Sequence, residues 1–348
     1  MSETKKLYFI FPLSGPKNGV NVISNLIYNS LITFFDVSII DVSQAKDYNN
    51  HGKFSFQKIL FIFSIYQKLK TLRKNDMVYM NFSLHGFSYY RDLLLLFICS
   101  LKCSNITIHF HSNGVEKSNS FFLKFIFKKV KIVTIHNKHF NSIKNYKQKY
   151  LLPNALPDFY NTNFSANESS ENLIKLLYFS NISVPKGVNL LDDFCSKVLY
   201  NKQNVSLTIC GGILDETSKE IIKRLVHIYP NITFLGPVEN DDVKMNLFHN
   251  HDILLFLSDE NYEVYPLVYI EALMNGLSII TTKQVISDEI ISDNGIVIKD
   301  ENYLSFLSNC ENKHFLNKQK INSRTIFEKN YNYDFFINHL TNILVHEE

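Results

Sequence analysis

The strongest constraint on this chain is a rhythm repeated along its length: a short continuous apolar run, a polar turn, then a segment of helical period. Eleven runs, rich in β-branched and aromatic residues, are expected as strands. They are Leu7–Phe11, Val37–Val42, Met77–Asn81, Ile106–Phe110 and Ile132–Ile135 in the first half. In the second half they are Leu176–Ser180, Ser206–Cys210, Ile232–Leu235, Ile253–Leu257, Ser278–Thr281 and Ile296–Ile298. The runs are apolar throughout rather than alternating, the pattern of parallel strands covered on both faces. Between them Ile23, Leu26, Ile27 and Leu31 form one helical stripe, and Leu267, Ile270, Leu273 and Met274 another.

A chain of 348 residues exceeds what one hydrophobic core fills, and the rhythm occurs twice, so two doubly wound α/β domains are expected. The boundary falls between Pro153 and Leu173, where Pro-Asn-Ala-Leu-Pro-Asp leads into the polar, Ser- and Asn-rich stretch Asn161–Asn172. The expected domains are residues 1–160 and 173–348, the second closed by a packed helix over Phe327–Val345, where Phe335, Phe336, Leu340, Ile343 and Leu344 recur at helical spacing. In such sheets ligands bind beyond the carboxyl ends of the strands, and two domains in tandem place a cleft between them.

Composition excludes several classes. Five cysteines make no disulfide framework and no Cys/His cluster has zinc spacing, so buried thiols are expected. The first residues, Met-Ser-Glu-Thr-Lys-Lys, lack the apolar core of a signal peptide. The longest apolar stretch, Leu93 to Leu101, is about half of what a membrane-crossing helix needs. A cytoplasmic location follows as an expectation. A net charge of +3 and the absence of a recognised module argue against nucleic acid as a partner. Two basic, aromatic stretches, Phe54–Lys74 and Phe121–Lys131, read either as surface helices at the inner face of the cytoplasmic membrane or as helices packing one face on the first sheet.

The segment Ile253 to Thr282 carries the most chemistry. A buried strand ends at Ser258, an acidic loop leads to Glu263, and Pro266 stands where a first helical position is expected. A helix follows with Glu271 in its second turn and Gly276 at its end. The unpaired N–H groups near Tyr265, Pro266, Leu267 and Val268 suit a diphosphate. Glu271 is then placed to accept from ribose hydroxyls, and Glu263 to meet a sugar beyond the diphosphate. Two glutamates eight apart mean little alone; the strand–loop–Pro–helix–Gly–strand setting gives them weight.

Glu263-x7-Glu271, with Pro266-Leu267 and Glu271-Ala272, resembles the signature of the retaining GT-B glycosyltransferases of family 4, the glycosyl transferases group 1. The departures are Val264 for the usual Gly and Ser278 for the usual Pro. The resemblance implies two Rossmann-like doubly wound domains facing each other across a cleft, with the nucleotide-sugar donor in the second. It assigns Glu271 to the nucleotide ribose and Glu263 to the donor sugar. Leu176 to Val188 resembles the segment whose Arg and Lys neutralise the diphosphate; Lys186 matches the Lys, while Asn181 stands at the Arg position. Gly211, in Cys210-Gly211-Gly212, resembles the glycine turn after the next strand, and Gly19, in Gly15-Pro-Lys-Asn-Gly19, the loop that faces donor and acceptor. His111, in His109-Phe-His111-Ser112, resembles the histidine that lines the donor sugar.

By that resemblance the reaction moves a hexose or N-acetylhexosamine from a nucleotide-diphosphate sugar to a glycan with retention, the leaving phosphate accepting the acceptor's proton. It implies bacterial surface polysaccharide synthesis, O-antigen (lipopolysaccharide) or capsule, in which a polyprenyl diphosphate can carry the acceptor. No cofactor is expected, and with no Asp-x-Asp in the chain no metal either. The alternatives are a sugar-nucleotide epimerase of the same architecture and a non-catalytic assembly subunit, the latter given weight by Asn181. Each site residue also has a plainer role: Glu271 a solvated helix residue, Glu263 a loop acid, Lys186 a turn lysine, His111 a hydrogen-bonded strand-end residue, Gly19 a helix-entry glycine.

Overall fold

A computed structural model describes residues 5–15, 18–43, 56–115, 121–144, 146–159, 173–200, 202–260 and 262–346, with the side chains of 56–62 and 121–122 outside the description. The expected linker Asn161–Asn172, and Pro16, Lys17 and Phe54, lie outside the described residues. The chain divides into two units, residues 1–155 with 333–348, and residues 156–332.

The first unit runs β1 (Lys6–Phe11), α1 (Gly19–Leu31), β2 (Asp36–Asp41), α2 (Phe56–Leu69), β3 (Met77–Asn81), α3 (Gly86–Lys102), β4 (Asn105–Phe110), α4 (Phe121–Phe127), β5 (Lys131–Thr134), α5 (Asn137–Ser142) and β6 (Lys149–Leu151). The second runs β7 (Ile174–Phe179), α6 (Val188–Val198), β8 (Val205–Cys210), α7 (Glu216–Ile228), β9 (Ile232–Gly236), α8 (Asp241–His249), β10 (Ile253–Phe256), α9 (Leu267–Met274), β11 (Ser278–Thr281), α10 (Ser287–Ile290), β12 (Gly295–Val297), α11 (Asn302–Cys310) and α12 (Lys313–Asn330). A last helix, α13 (Tyr333–Val345), returns to the first unit.

Each unit holds a six-stranded sheet with parallel neighbours, ordered β2-β1-β3-β4-β5-β6 and β12-β11-β10-β7-β8-β9. The continuous apolar runs are the reason. In β1, β3, β4 and β10 nearly every residue is buried, which only a sheet with helices on both faces permits. One core gathers Ile10, Val78, Ile108 and Ile132 with Leu95 and Cys99 of α3; the other gathers Leu176, Leu207 and Leu255 with Leu191 of α6 and Leu307 of α11. All five cysteines are buried free thiols.

Two expectations need correction. The span Phe327–Val345 is not one helix: α12 stops at Asn330 and α13 starts at Tyr333. Nor does the closing helix belong to the second domain. Lys131 Nζ, at the start of β5, donates to the carbonyls of Ile343 (2.7 Å) and Leu344 (3.2 Å) at the end of α13, and Asn105 Nδ2 donates to Leu344 O at 3.0 Å. A cation and an amide thus satisfy carbonyls that a helix end leaves open. At the other end of the helix Tyr333 and Ser30 of α1 share a hydroxyl hydrogen bond of 3.1 Å.

Candidate functional site

In the second sheet β7 is followed outward by β8 on one side and borders β10 on the other, so strand order reverses between β7 and β10. Loops leaving such a pair diverge, and that is where open α/β sheets take ligands. After β7 the chain makes a 3₁₀ turn, Val184–Lys186, and enters α6 through Gly187 at φ +86°. A Cβ on Gly187 would stand 2.0 Å from the Leu257 carbonyl oxygen. Only glycine tolerates both that φ and that approach. The Asp259 N–H donates to Pro185 O at 3.0 Å, stitching the two loops together.

This stitching brings two of the expected residues into contact. Lys186 Nζ donates to Glu263 Oε1 in an ion pair, with the Ser258 hydroxyl 3.5 Å from the same oxygen. The Lys186 ammonium also lies 5.2 Å from the Tyr262 ring centroid. The Tyr178 hydroxyl donates to the Lys186 carbonyl at 2.7 Å. Burial, then the nearby Glu263 charge, raise the Tyr178 phenol above its ordinary range, so it stays a neutral donor.

The helix that follows, α9, begins one residue later than expected. Pro266, with ψ 116°, is its N-cap rather than its first helical residue, and it offers no side-chain hydrogen bond. The leading N–H groups at Leu267 and Val268 therefore have no side-chain cap. At the other end Gly276, at φ +68°, closes the helix: its N–H donates to Leu273 O and that of Leu277 to Ala272 O. Glu271, in the second turn, accepts from Lys244 Nζ of α8 at 2.8 Å. Burial works against charge on Lys244, but Glu271, with Asp241 behind it, outweighs burial and holds the ammonium above its ordinary pKa. Tyr265 is buried, while Leu267 and Val268 are half-buried.

The sequence reading did not single out Lys244. In the sequence it follows Asp241 and Asp242, which reads as an ordinary acid–lysine face; the structure does show a 3.4 Å pair with Asp241. The long-range contact to Glu271 leaves no local signal.

Asn181 is exposed and flanks the glycine turn. A Cβ on Gly211, at φ +145°, would stand 1.8 Å from the Ser180 carbonyl oxygen, so close approach between the ends of β7 and β8 already explains that glycine. In the first unit Gly19 is the first residue of α1, which Asn18 caps by accepting from the Asn21 N–H at 3.0 Å. Gly15 is the one with a left-handed φ, +102°. The loop before it is held by Asp41, which accepts from the Leu13 N–H (3.1 Å) and the Ser14 hydroxyl (2.6 Å). Buried His111 follows β4, its ring centroid 4.0 Å from that of His109. Burial alone takes the His111 imidazolium down to about 3.

Residues 160–311 match the family model described as glycosyl transferases group 1. That matched span contains both ion pairs, Lys186–Glu263 and Lys244–Glu271. The whole chain is similar to sucrose-phosphate synthase from Thermosynechococcus elongatus, at 15% identity and TM-score 0.70, covering 97% of this chain and 98% of that one. It is similar to WaaG, a glycosyltransferase involved in lipopolysaccharide biosynthesis, at 16% identity and TM-score 0.69, covering 98% and 100%. It is also similar to Alr3699/HepE of Anabaena in complex with UDP-glucose, at 12% identity and TM-score 0.67, covering 97% and 99%. These likenesses establish the GT-B fold, two Rossmann-like units with parallel sheets. No curated protein matches the sequence.

Proposed function

We propose that this chain is a retaining glycosyltransferase of family 4, moving a hexose or N-acetylhexosamine from a nucleotide-diphosphate sugar to a glycan acceptor. One observation carries the reading: where the second strand order reverses, Lys186, Glu263 and the uncapped start of α9 stand together, with Glu271 one turn further along the helix. The group 1 domain over the same residues supports it.

In this reading the donor's anomeric C–O bond breaks and its electron pair stays on the diphosphate. Lys186 and the α9 N–H groups stabilise that charge, the kind of contribution that dominates many enzymatic rate enhancements. Lys186 exchanges Glu263 for the diphosphate as the donor enters, freeing the carboxylate for sugar hydroxyls. Glu271, held by Lys244, accepts from the ribose. His111 lines the sugar as a neutral imidazole. The acceptor hydroxyl attacks from the face the diphosphate leaves, and its proton passes to a leaving phosphate oxygen. No step needs a metal or a cofactor.

The acceptor we assign is a bacterial surface glycan, O-antigen or capsule, carried on a polyprenyl diphosphate at the inner face of the cytoplasmic membrane. The likeness to WaaG supports this pathway, and the complex of HepE with UDP-glucose supports a uridine nucleotide donor. No helix among the described residues is long and apolar enough to cross a membrane.

A panel of nucleotide sugars read by thermal stabilisation identifies the donor, because a ligand that binds only the native state raises the melting temperature. Glu271→Ala should then abolish nucleoside diphosphate release in a protein that stays folded at the assay temperature, with a lowered melting temperature because Lys244 loses its partner. Full activity in that variant would remove the assignment. Exposed Asn181, where a cation is expected, favours a second reading as a non-catalytic subunit. That protein would bind the donor and release nothing, whereas an epimerase would alter the donor with no acceptor present.

A further inference from the structure

Helix α3 buries Arg91, Asp92, Leu95, Leu96 and Cys99 against its own unit. A surface helix normally turns charge to the other side. This one does not. Tyr90, Leu94, Phe97 and Leu101 recur at helical spacing on the outer face and are 69%, 43%, 52% and 71% exposed. Isolated exposed apolar side chains are ordinary, but a continuous stripe along a whole helix marks an interaction surface.

The stripe continues onto α2. Lys102 Nζ, at the end of α3, donates to the carbonyls of Leu69 (3.0 Å) and Lys70 (3.1 Å), tying the two helix ends together. On α2 and just after it Phe63 and Tyr66 are exposed beside exposed Lys68, Lys70, Arg73 and Lys74. Between residues 56 and 104 the sequence contains two acids, Asp76 and Asp92, and both are buried. Asp92 accepts from Arg91 Nε at 2.8 Å and Asp76 from the Arg73 N–H at 2.8 Å, so neither is turned to solvent. This face is apolar and cationic, with no exposed acid between those residues.

We infer that the outer face of α3, with the adjoining end of α2, is a docking surface for an anionic lipid bilayer. The inference deepens the inner-face location proposed above. Charge decides the occupant. A second copy joined by a two-fold axis would set this cationic, acid-free face against itself, where like charges repel. An anionic bilayer meets both features: Leu94, Phe97 and Leu101 enter below the headgroups, Tyr90 and Tyr66 sit at the polar boundary, and the lysines reach the lipid phosphates. The run Leu93–Leu101 lies on the membrane rather than across it, since one side of the helix is already buried in protein.

The test is co-sedimentation of the full chain, without substrates, with vesicles of phosphatidylglycerol and phosphatidylethanolamine, and with vesicles of phosphatidylcholine alone. Binding should be at least tenfold tighter to the anionic vesicles. Phe97→Gln with Leu101→Gln should weaken it about tenfold. Lys68→Gln with Lys70→Gln should weaken it about fivefold per lysine on anionic vesicles and leave phosphatidylcholine binding unchanged. All four positions are exposed, so melting temperatures should stay near that of the parent. Absence of anionic-vesicle binding, or binding that neither double variant weakens, overturns the proposal. So does a dimer in light scattering that Phe97→Gln with Leu101→Gln dissolves while vesicles are ignored, since the face then belongs to a second copy. Donor-induced thermal stabilisation, measured in parallel, reads the transferase assignment separately; either result can fail while the other stands.

Discussion

The two sheets are built alike, six strands each with every neighbour parallel, yet the histidines near the carboxyl ends of one contrast in charge with the ion pairs near those of the other. In the first unit the imidazole rings there are neutral. Tyr79 and His109 Nδ1 share a 2.7 Å hydrogen bond, and the His111 ring lies beyond, tilted 44° to that of His109. Burial, with His111 adding to it, holds the His109 imidazolium far below its ordinary range. Burial, then His139 and Lys138, take His136 down to about 3. Among the described residues the Nε2 atoms of His109, His111 and His136 have no hydrogen-bond partner. In the second unit the corresponding positions hold Lys186, Glu263, Lys244 and Glu271, each paired with an opposite charge. Burial without a counter-charge strips the proton from a histidine; burial beside a counter-charge keeps both ions. One sheet end carries neutral imidazoles with open ring nitrogens, the other carries paired charge.

The sharpest test of that contrast removes a charge. Lys186→Ala should cut turnover about a hundredfold to a thousandfold, the scale of losing one stabilising donor. His111→Ala should cost clearly less, as measured by steady-state kinetics with the donor that the thermal panel selects. Equal losses would erase the distinction between the charged pairs and the neutral imidazoles.

Next in size is a buried cation of the first unit that serves structure. Lys131→Met leaves the Ile343 and Leu344 carbonyls short of a donor, which should cost about 2 kcal/mol. Denaturant melts should record it, and hydrogen exchange should show α13 losing protection while the second unit keeps its own.

Smallest, per unit of acidity, is the histidine effect. His111 and His136 bind a proton at about 6.5 when unfolded but only near 3 when folded. Between those values the unfolded chain holds more protons, so stability falls as pH falls from 6.5 toward 3. Each group should contribute about 1.4 kcal/mol per pH unit across that window. Replacing His111 by Asn should flatten the slope measured by melts between pH 6.5 and 4.5.

Much of this architecture was legible because buried parallel strands leave unbroken apolar runs: Met77–Asn81 and Ser278–Thr281 fall at their expected bounds. The short strand β6 escaped, since Lys149–Leu151 is half-exposed at a sheet edge with no apolar run to mark it. The split between α12 and α13 escaped for the opposite reason, because hydrophobic spacing runs straight through the turn at Tyr331 and Asn332. That α13 belongs to the first unit depends on Lys131 and Asn105, which are more than two hundred residues away in sequence. Glu263 and Glu271 were singled out by their setting between strand, proline, helix and glycine, and Lys186 by the resemblance of its segment to the family's; the structure pairs Lys186 with Glu263. Lys244 was not singled out, since its link to Glu271 exists only once α8 and α9 have packed.

The return of α13 makes the first unit discontinuous in sequence, with the second unit inserted between its two pieces. In synthesis every residue of the second unit is joined before the first unit receives its last helix. Until Tyr333–Val345 emerges, Lys131 and Asn105 face an unfilled groove. The unit that begins the chain is the one that closes last, and a chain truncated after Asn332 would keep every residue of the second unit while leaving Lys131 and Asn105 without the α13 carbonyls they bind.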